Sequence, residues 1–182
     1  MATVEEQITT ADELLHAVDL GRCELIRGEL IMMSPAGFNH GWIAIRIGSR
    51  IANFVEAHGL GMPIGAETGF LISRNPDTVR APDAGFVRAE RLGPKPIQGF
   101  FPGSPDLAVE VLSPDDRRAE VLAKVQMWLD AGCQAVWIVD PLKRTVAVHR
   151  SGVATTHLGE NDTLTESDLL PGFMLRVAEI FE

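Results

Sequence analysis

Residues 104–128, SPDLAVEVLSPDDRRAEVLAKVQMW, set the tightest limit on what this chain can fold into. The run Leu107-Ala108-Val109-Glu110-Val111-Leu112 is apolar on both faces of an extended chain, which marks a strand covered on both sides. Ser113-Pro114-Asp115-Asp116 then carries the signals of a helix start: a capping hydroxyl, a proline at the first position and acids in the first turn. The spacing predicts a helix from there to about Ala131, ahead of Gly132. A doubly covered strand followed by a helix lying on it implies a sheet flanked by helices. Two residues conflict with that setting. Glu110 stands inside the apolar run, and Lys124, at i+3 from Val121 and i−4 from Trp128, falls on the helix stripe that faces the sheet. Carboxylates and ammonium groups are rarely buried unless paired.

The rest of the chain fits the same class. Thr10-Ala11-Asp12-Glu13 is a capping-box pattern, predicting a short helix that ends near Gly21. CELIRGELIMMSP reads as a hairpin turning at Arg27-Gly28. Residues 38–58 place Trp42, Ile43, Ile47, Ile51, Phe54 and Val55 on one stripe, with Gly59 as the terminating glycine. Two strands, PIGAETGFLI and VRAPDAGFV, flank SRNPDT, and a Gly/Pro-rich loop spans residues 92–105. QAVWIVD is a further buried strand, TVAVHR and VATTHL form a hairpin around Ser151-Gly152, and SDLLPGFMLRVAEIF is a short cover. This is an α/β chain with a mixed β-sheet flanked by helices, and its 182 residues suit a single domain over 1–182.

Composition narrows the function classes. A net charge of −9 argues against coating nucleic acid by charge alone. Residues 80–124, however, hold seven basic and seven acidic side chains, so the acidic excess lies elsewhere. Cys23 and Cys133 stand singly, which argues against a thiolate metal site and a disulfide framework. No apolar run approaches the ~20 residues of a membrane span, and MATVEEQITTADELL lacks a signal peptide's basic and apolar regions, so a cytoplasmic location is expected. Neither a Walker turn nor a Gly-x-Gly-x-x-Gly turn follows a strand, which argues against P-loop and dinucleotide chemistry.

Asp83, after Pro82, and Glu110 both belong to strand-like segments, so neighbouring strands would bring the two carboxylates together. Their repulsion would be relieved by a divalent ion, and hard oxygen ligands suit Mg²⁺ or Mn²⁺. Lys124 could pair with Glu110 and steady charge developing on a phosphate. The alternative is structural pairing, of Arg80 or Lys124 with Glu110. Glu24 and Glu29 flank the hairpin turn as possible accessory acids, with a solvated hairpin acid as the plainer reading. His40 could hydrogen-bond a phosphate or simply pack, and Arg117 and Arg118 are possible phosphate contacts. Asp106 reads as a loop cap, His149 and His157 as cross-strand structural residues.

RAPDAGFV, PDLAVEVLSPDDRR, Lys124 on the following helix and VWIVDP together resemble the Uma-type family of bacterial restriction-endonuclease-like proteins, in the PD-(D/E)XK nuclease-like superfamily. ELIRGELIMMSP, the helix opening at His40 and LPGFML extend the resemblance over nearly the whole chain. It implies a restriction-endonuclease-like fold in which Asp83 matches the PD aspartate and Glu110 the acid of (D/E)XK. The lysine of that motif is absent, Val111 and Leu112 following Glu110, and Lys124 would return the amine from the helix. The family tends to have an aromatic, usually Tyr, where this chain has Trp128.

The function expected from residues and resemblance is metal-dependent hydrolysis of DNA phosphodiester bonds by an endonuclease with a migrated lysine. A catalytically silent nuclease-fold module for binding or assembly is the alternative; carboxylate-only glycoside hydrolysis would need two acids with no lysine between them. Homodimerisation is expected from Met32, Met33, Phe100 and Phe101, which lie in turns and hairpins where a monomer would leave them wet.

Overall fold

A computed structural model describes residues 7–182; residues 1–6, which open the acidic N-terminal stretch, lie outside that range. In chain order the elements are α1 (Ala11–His16), β1 (Cys23–Ile26), β2 (Glu29–Met32), α2 (Phe38–His58), β3 (Gly61–Gly65), β4 (Phe70–Ser73), β5 (Thr78–Arg80) and β6 (Ala84–Arg88). They continue with β7 (Phe101–Pro102), β8 (Leu107–Val111), α3 (Arg118–Asp130), β9 (Ala135–Asp140), β10 (Thr145–His149), β11 (Thr156–Leu158), β12 (Thr163–Glu166) and β13 (Leu170–Arg176).

A six-stranded sheet, β11-β10-β9-β8-β6-β3, forms the centre. Its β8 lies between β9, parallel, and β6, antiparallel, and all five of its residues are buried. Leu107, Val109 and Val111 pack in the cluster under α2, with the β12–β13 hairpin closing that face. Ala108 packs on the other face, with Val125 and Trp128 of α3 and with Phe70 and Phe101 of a second, five-stranded sheet, β2-β1-β5-β4-β7. The C-terminal segment is therefore more than a cover: Leu164, Leu170, Phe173 and Leu175 belong to the main core.

Local chemistry accounts for the elements. Thr10 caps α1 in a capping box with Glu13, but the helix ends at His16, well before Gly21. The β1–β2 hairpin turns on Arg27 and Gly28, with φ of 52° and 77°, the two positive angles of a type I′ turn. Along α2 the buried residues Ile43, Ala44, Ile47, Ile51 and Val55 follow the expected stripe, and Gly59 ends the helix at φ 61°.

Three segments depart from expectation. PIGAETGFLI and VRAPDAGFV each divide into two strands, β3 and β4, β5 and β6, so the chain leaves the six-stranded sheet after Gly65 and returns at Ala84. Pro82 has no N–H to give a ladder, and the crossover back is made there. Helix α3 begins at Arg118 and not at Pro114, and Ser113 caps nothing: residues 113–116 form a turn in which Asp116 N–H donates to the Ser113 carbonyl and the Asp116 carboxylate accepts from Ser113 N–H. Phe101 pairs into β7 and is buried, and Phe100 packs beside Val79 and Leu25, so neither supplies the wet apolar surface expected of it. Met33 is half-buried, and Met32 stays exposed.

Candidate active site

Glu110 sits on the face of β8 that looks at α3. From that helix, Lys124 Nζ donates to Glu110 Oε2 at 2.7 Å, and Trp128 Nε1, one turn later, donates to Oε1 at 2.8 Å. The i, i+4 spacing places both donors on one face, each holding one oxygen of the same carboxylate.

Asp83 stands immediately before the neighbouring strand β6. Gly85 allows the close pairing of β6 with β8, because a Cβ there would stand 2.2 Å from the Leu107 carbonyl oxygen. β6 pairs only as far as Ala84 with Val109, which leaves the N–H of Val111 without a strand partner, and Asp83 Oδ2 accepts it at 2.8 Å. His40 Nε2, in the first turn of α2, is 3.3 Å from the same oxygen, and Arg22 Nη2 is 3.5 Å from Oδ1.

Glu24, on β1, completes the group from the second sheet. Arg80 donates to it at 2.8 and 2.9 Å, Ala81 N–H at 3.2 Å, and Lys124 Nζ is 3.9 Å away. It is 3% exposed, so reading it as a solvated hairpin acid fails; Asp83 and Glu110 are 6% and 7% exposed. Asp83, Glu110, Lys124, His40 and Glu24 thus line one cavity of about 360 Å³, together with Arg22 and Arg80.

Burial pushes the Glu110 carboxyl above its ordinary range, and the Asp83 charge adds to that, with Lys124 and Trp128 opposing. For Asp83, burial acts upward as well, but the hydrogen bond and charge of His40, the Val111 N–H and Lys124 outweigh it and hold the carboxyl low. The Asp83 hydrogen bond lifts the His40 imidazolium above its usual value against the cost of burial. Burial also works against the Lys124 ammonium, yet Glu110 and Glu24 overcome it and hold that group more basic than a free lysine. The two neighbouring carboxyls are thus shifted in opposite directions, Asp83 down and Glu110 up, a pattern that functional sites and buried ion-pair networks share.

Other candidates lie elsewhere. Glu29 is exposed and does not line the cavity. Arg117 is 83% exposed, 4.0 Å from Glu120, and Arg118 is also on the surface; the rim beside them is formed by Asp116 and Glu120, acids where cations were expected. Arg80 pairs with Glu24 and not with Glu110. Asp106 is buried and accepts from Arg88 N–H, Arg91 and Gln134, a structural knot apart from the cavity. His149 bonds Thr155 within the β10–β11 hairpin. Arg22 went unnoticed in the sequence, where nothing distinguishes it from other loop arginines, and Trp128 was noted only as an aromatic. Glu24 carried a signal: like Glu110, it is an acid inside an apolar strand.

Asp83 and Glu110 are the side chains of the cavity that could hold a divalent ion of the magnesium type. Among the described residues no three His, Cys, Asp or Glu side chains gather into a cage. Mg²⁺ asks for less, taking one or two carboxylates and filling its shell with water and phosphate. Each Glu110 oxygen has a single hydrogen-bond donor, and Asp83 Oδ1 has only the loose Arg22 contact, so lone pairs remain on both carboxylates.

A family model described as "Putative restriction endonuclease", that of Uma2, matches residues 11–178. A crystal structure of "a putative nuclease belonging to DUF820" from Anabaena variabilis superposes with a TM-score of 0.80 at 24% identity, covering 94% of this chain and 97% of that one. That likeness shows a shared fold, the mixed α/β architecture with sheets flanked by helices that the sequence implied. No curated protein matches. No helix among the described residues is long and apolar enough to cross a membrane. With that match spanning residues 11–178, from α1 through β13, the chain belongs to the Uma2 family.

Proposed function

We propose that this chain is a metal-dependent endonuclease that hydrolyses phosphodiester bonds of DNA, with Asp83 and Glu110 holding Mg²⁺ or Mn²⁺. The observation that carries this reading is the 2.7 Å contact from Lys124 on the helix to Glu110 on the strand, which returns an amine to the side of the acid where the chain itself has only Val111 and Leu112. The family description and the nuclease named in the solved structure support it.

The ion would polarise the phosphate and lower the pKa of the attacking water. Within the chain, Lys124 and Trp128 orient Glu110, and the Lys124 ammonium also meets negative charge growing on the phosphate oxygens. His40 and Val111 N–H fix Asp83. The same reading includes a cytoplasmic location and a homodimer with exposed Met32 of edge strand β2 in the contact, the latter tested by sedimentation at micromolar concentration.

One observation favours a second reading, the silent binding or assembly module: each of the three buried cavity carboxylates already has a cationic partner, Lys124 for Glu110, Arg80 for Glu24, Arg22 and His40 for Asp83. Incubation with supercoiled plasmid separates the two. Nicking that requires Mg²⁺ or Mn²⁺ and disappears in Asp83→Ala and Glu110→Ala is expected; intact plasmid under every metal, with no ion bound in calorimetry, selects the silent module.

A further inference from the structure

A second hollow, of about 810 Å³, runs along α2 beside the edge strand β3 and shares Arg22, His40 and Asp83 with the cavity of the carboxylates. It is a continuation of that cavity and differs from it in chemistry. Gly41, Ala44, Gly48 and Ala52 on α2 and Pro63 and Ile64 on β3 give it small and apolar walls. Among its lining residues Arg22 is the one permanent cation, and its guanidinium already faces two carboxylates, Glu67 at 3.4 Å and Asp83 at 3.5 Å. Glu56 and Glu67 line it as well and oppose any anion.

Resting on the nuclease reading above, we infer that this hollow is the subsite for the sugar and base beside the scissile phosphate, so that the substrate is a single strand or a frayed end and not a continuous duplex. A group joined to a phosphate at Asp83 can extend directly into the hollow, because His40, Arg22 and Asp83 border both spaces. Its volume lies in the range of pockets that enclose small ligands. A nucleobase suits walls of this kind, which offer apolar contact and, from Asn53, an uncharged amide for a polar edge. Further phosphates do not, since holding a backbone requires free Lys or Arg. A base paired within a duplex would have to leave its stack to enter, a cost of a few kcal/mol that a single strand largely avoids.

The test is fluorescence anisotropy with a labelled DNA oligonucleotide, single-stranded and as its duplex, in Ca²⁺ and at two salt concentrations. The single strand is expected to bind about tenfold tighter or better, with the shallow salt dependence of few phosphate contacts. Gly41→Leu adds a side chain at the wall of the hollow, where a Cβ at Gly41 meets no atom within 4 Å, and leucine is the better helix former. Its melting temperature and Mn²⁺ affinity should match wild type while single-strand affinity falls about tenfold, as one lost base contact of 1–3 kcal/mol implies. Ala52→Leu, three turns along, should repeat the loss. Tighter binding of duplex, or single-strand binding unchanged in both variants, overturns the subsite; if Mg²⁺-dependent plasmid nicking is then still lost in Asp83→Ala, the nuclease reading stands without it. A dimer that either leucine variant dissociates would show the hollow to be a contact between copies, and would also overturn it.

Discussion

Lys124 Nζ lies 2.7 Å from Glu110 Oε2, although one residue belongs to a helix and the other to the strand beneath it. The amine therefore need not follow the acid by two positions in sequence. Lys124→Met should lower plasmid nicking about 10²-fold or more, the scale of removing one preorganised charge partner from a developing oxyanion. Mn²⁺ affinity by calorimetry should hold or rise, because a nearby positive charge is gone. Unchanged nicking would remove Lys124 from the chemistry.

Trp128→Phe keeps the ring packing and deletes one donor to a buried carboxylate. Urea unfolding should show a loss of about 1–3 kcal/mol. Glu110, already held above its usual range by burial, should protonate more readily, weakening Mn²⁺ binding at neutral pH. Trp128→Tyr returns a hydroxyl donor and should recover part of both; recovery of stability without recovery of metal affinity would make Trp128 a packing residue only.

The His40–Asp83 pair sets a pH window in metal-free protein. His40 is raised from 6.5, so its contribution is complete below 6.5 and lost as pH climbs through the higher folded value. Asp83 is lowered from 3.8, so its contribution is present above 3.8 and lost as pH drops through the lower folded value. Melting temperatures of wild type and His40→Asn should therefore differ most between the two ordinary values and converge on the alkaline side. A difference that grows with pH above 6.5 would contradict this pairing.

Asp106 offers the contrasting case, a buried acid with no part in the cavity. Asp106→Asn puts an amide among three donors, from Arg88, Arg91 and Gln134, and should cost about 3 kcal/mol in urea unfolding. Nicking per folded molecule should match wild type at low temperature. A specific loss of activity in fully folded protein would extend the site to this end of β8.

The site was legible where an acid broke an apolar pattern. Glu110 and Lys124 each interrupt a stripe that burial would otherwise keep hydrophobic, and the structure pairs them. Asp83 was legible only with the expectation that its strand lay next to β8. Glu24 had the same signature as Glu110, but its run, CELI, is half as convincing because the hairpin beside it looks solvated. Arg22 could not be read at all, since a loop residue meets Asp83 only through the tertiary arrangement. Among the elements, the long apolar periods of α2, β8 and β9 fixed themselves. The division of residues 63–72 and 79–87 into four strands did not show, because an apolar run says that a strand is buried and not in which sheet. The turn at 113–116 borrowed the residues of a helix start: the Asp116 N–H that a capping hydroxyl would have claimed donates to the Ser113 carbonyl, while the Asp116 carboxylate accepts from Ser113 N–H.

The crossing of the chain between its two larger sheets has a consequence in time. Glu24 and Arg80 come from the five-stranded sheet, Asp83 and Glu110 from the six-stranded one, and Lys124 reaches across to both acids, Glu110 and Glu24. The contacts that close the cavity therefore join separated parts of the chain, Glu24 to Arg80 across 56 residues and Glu110 to Trp128 across 18. Pairings of that kind wait until looser, local structure is in place. A chain emerging during synthesis thus cannot assemble this cluster until Lys124 and Trp128 have joined the fold.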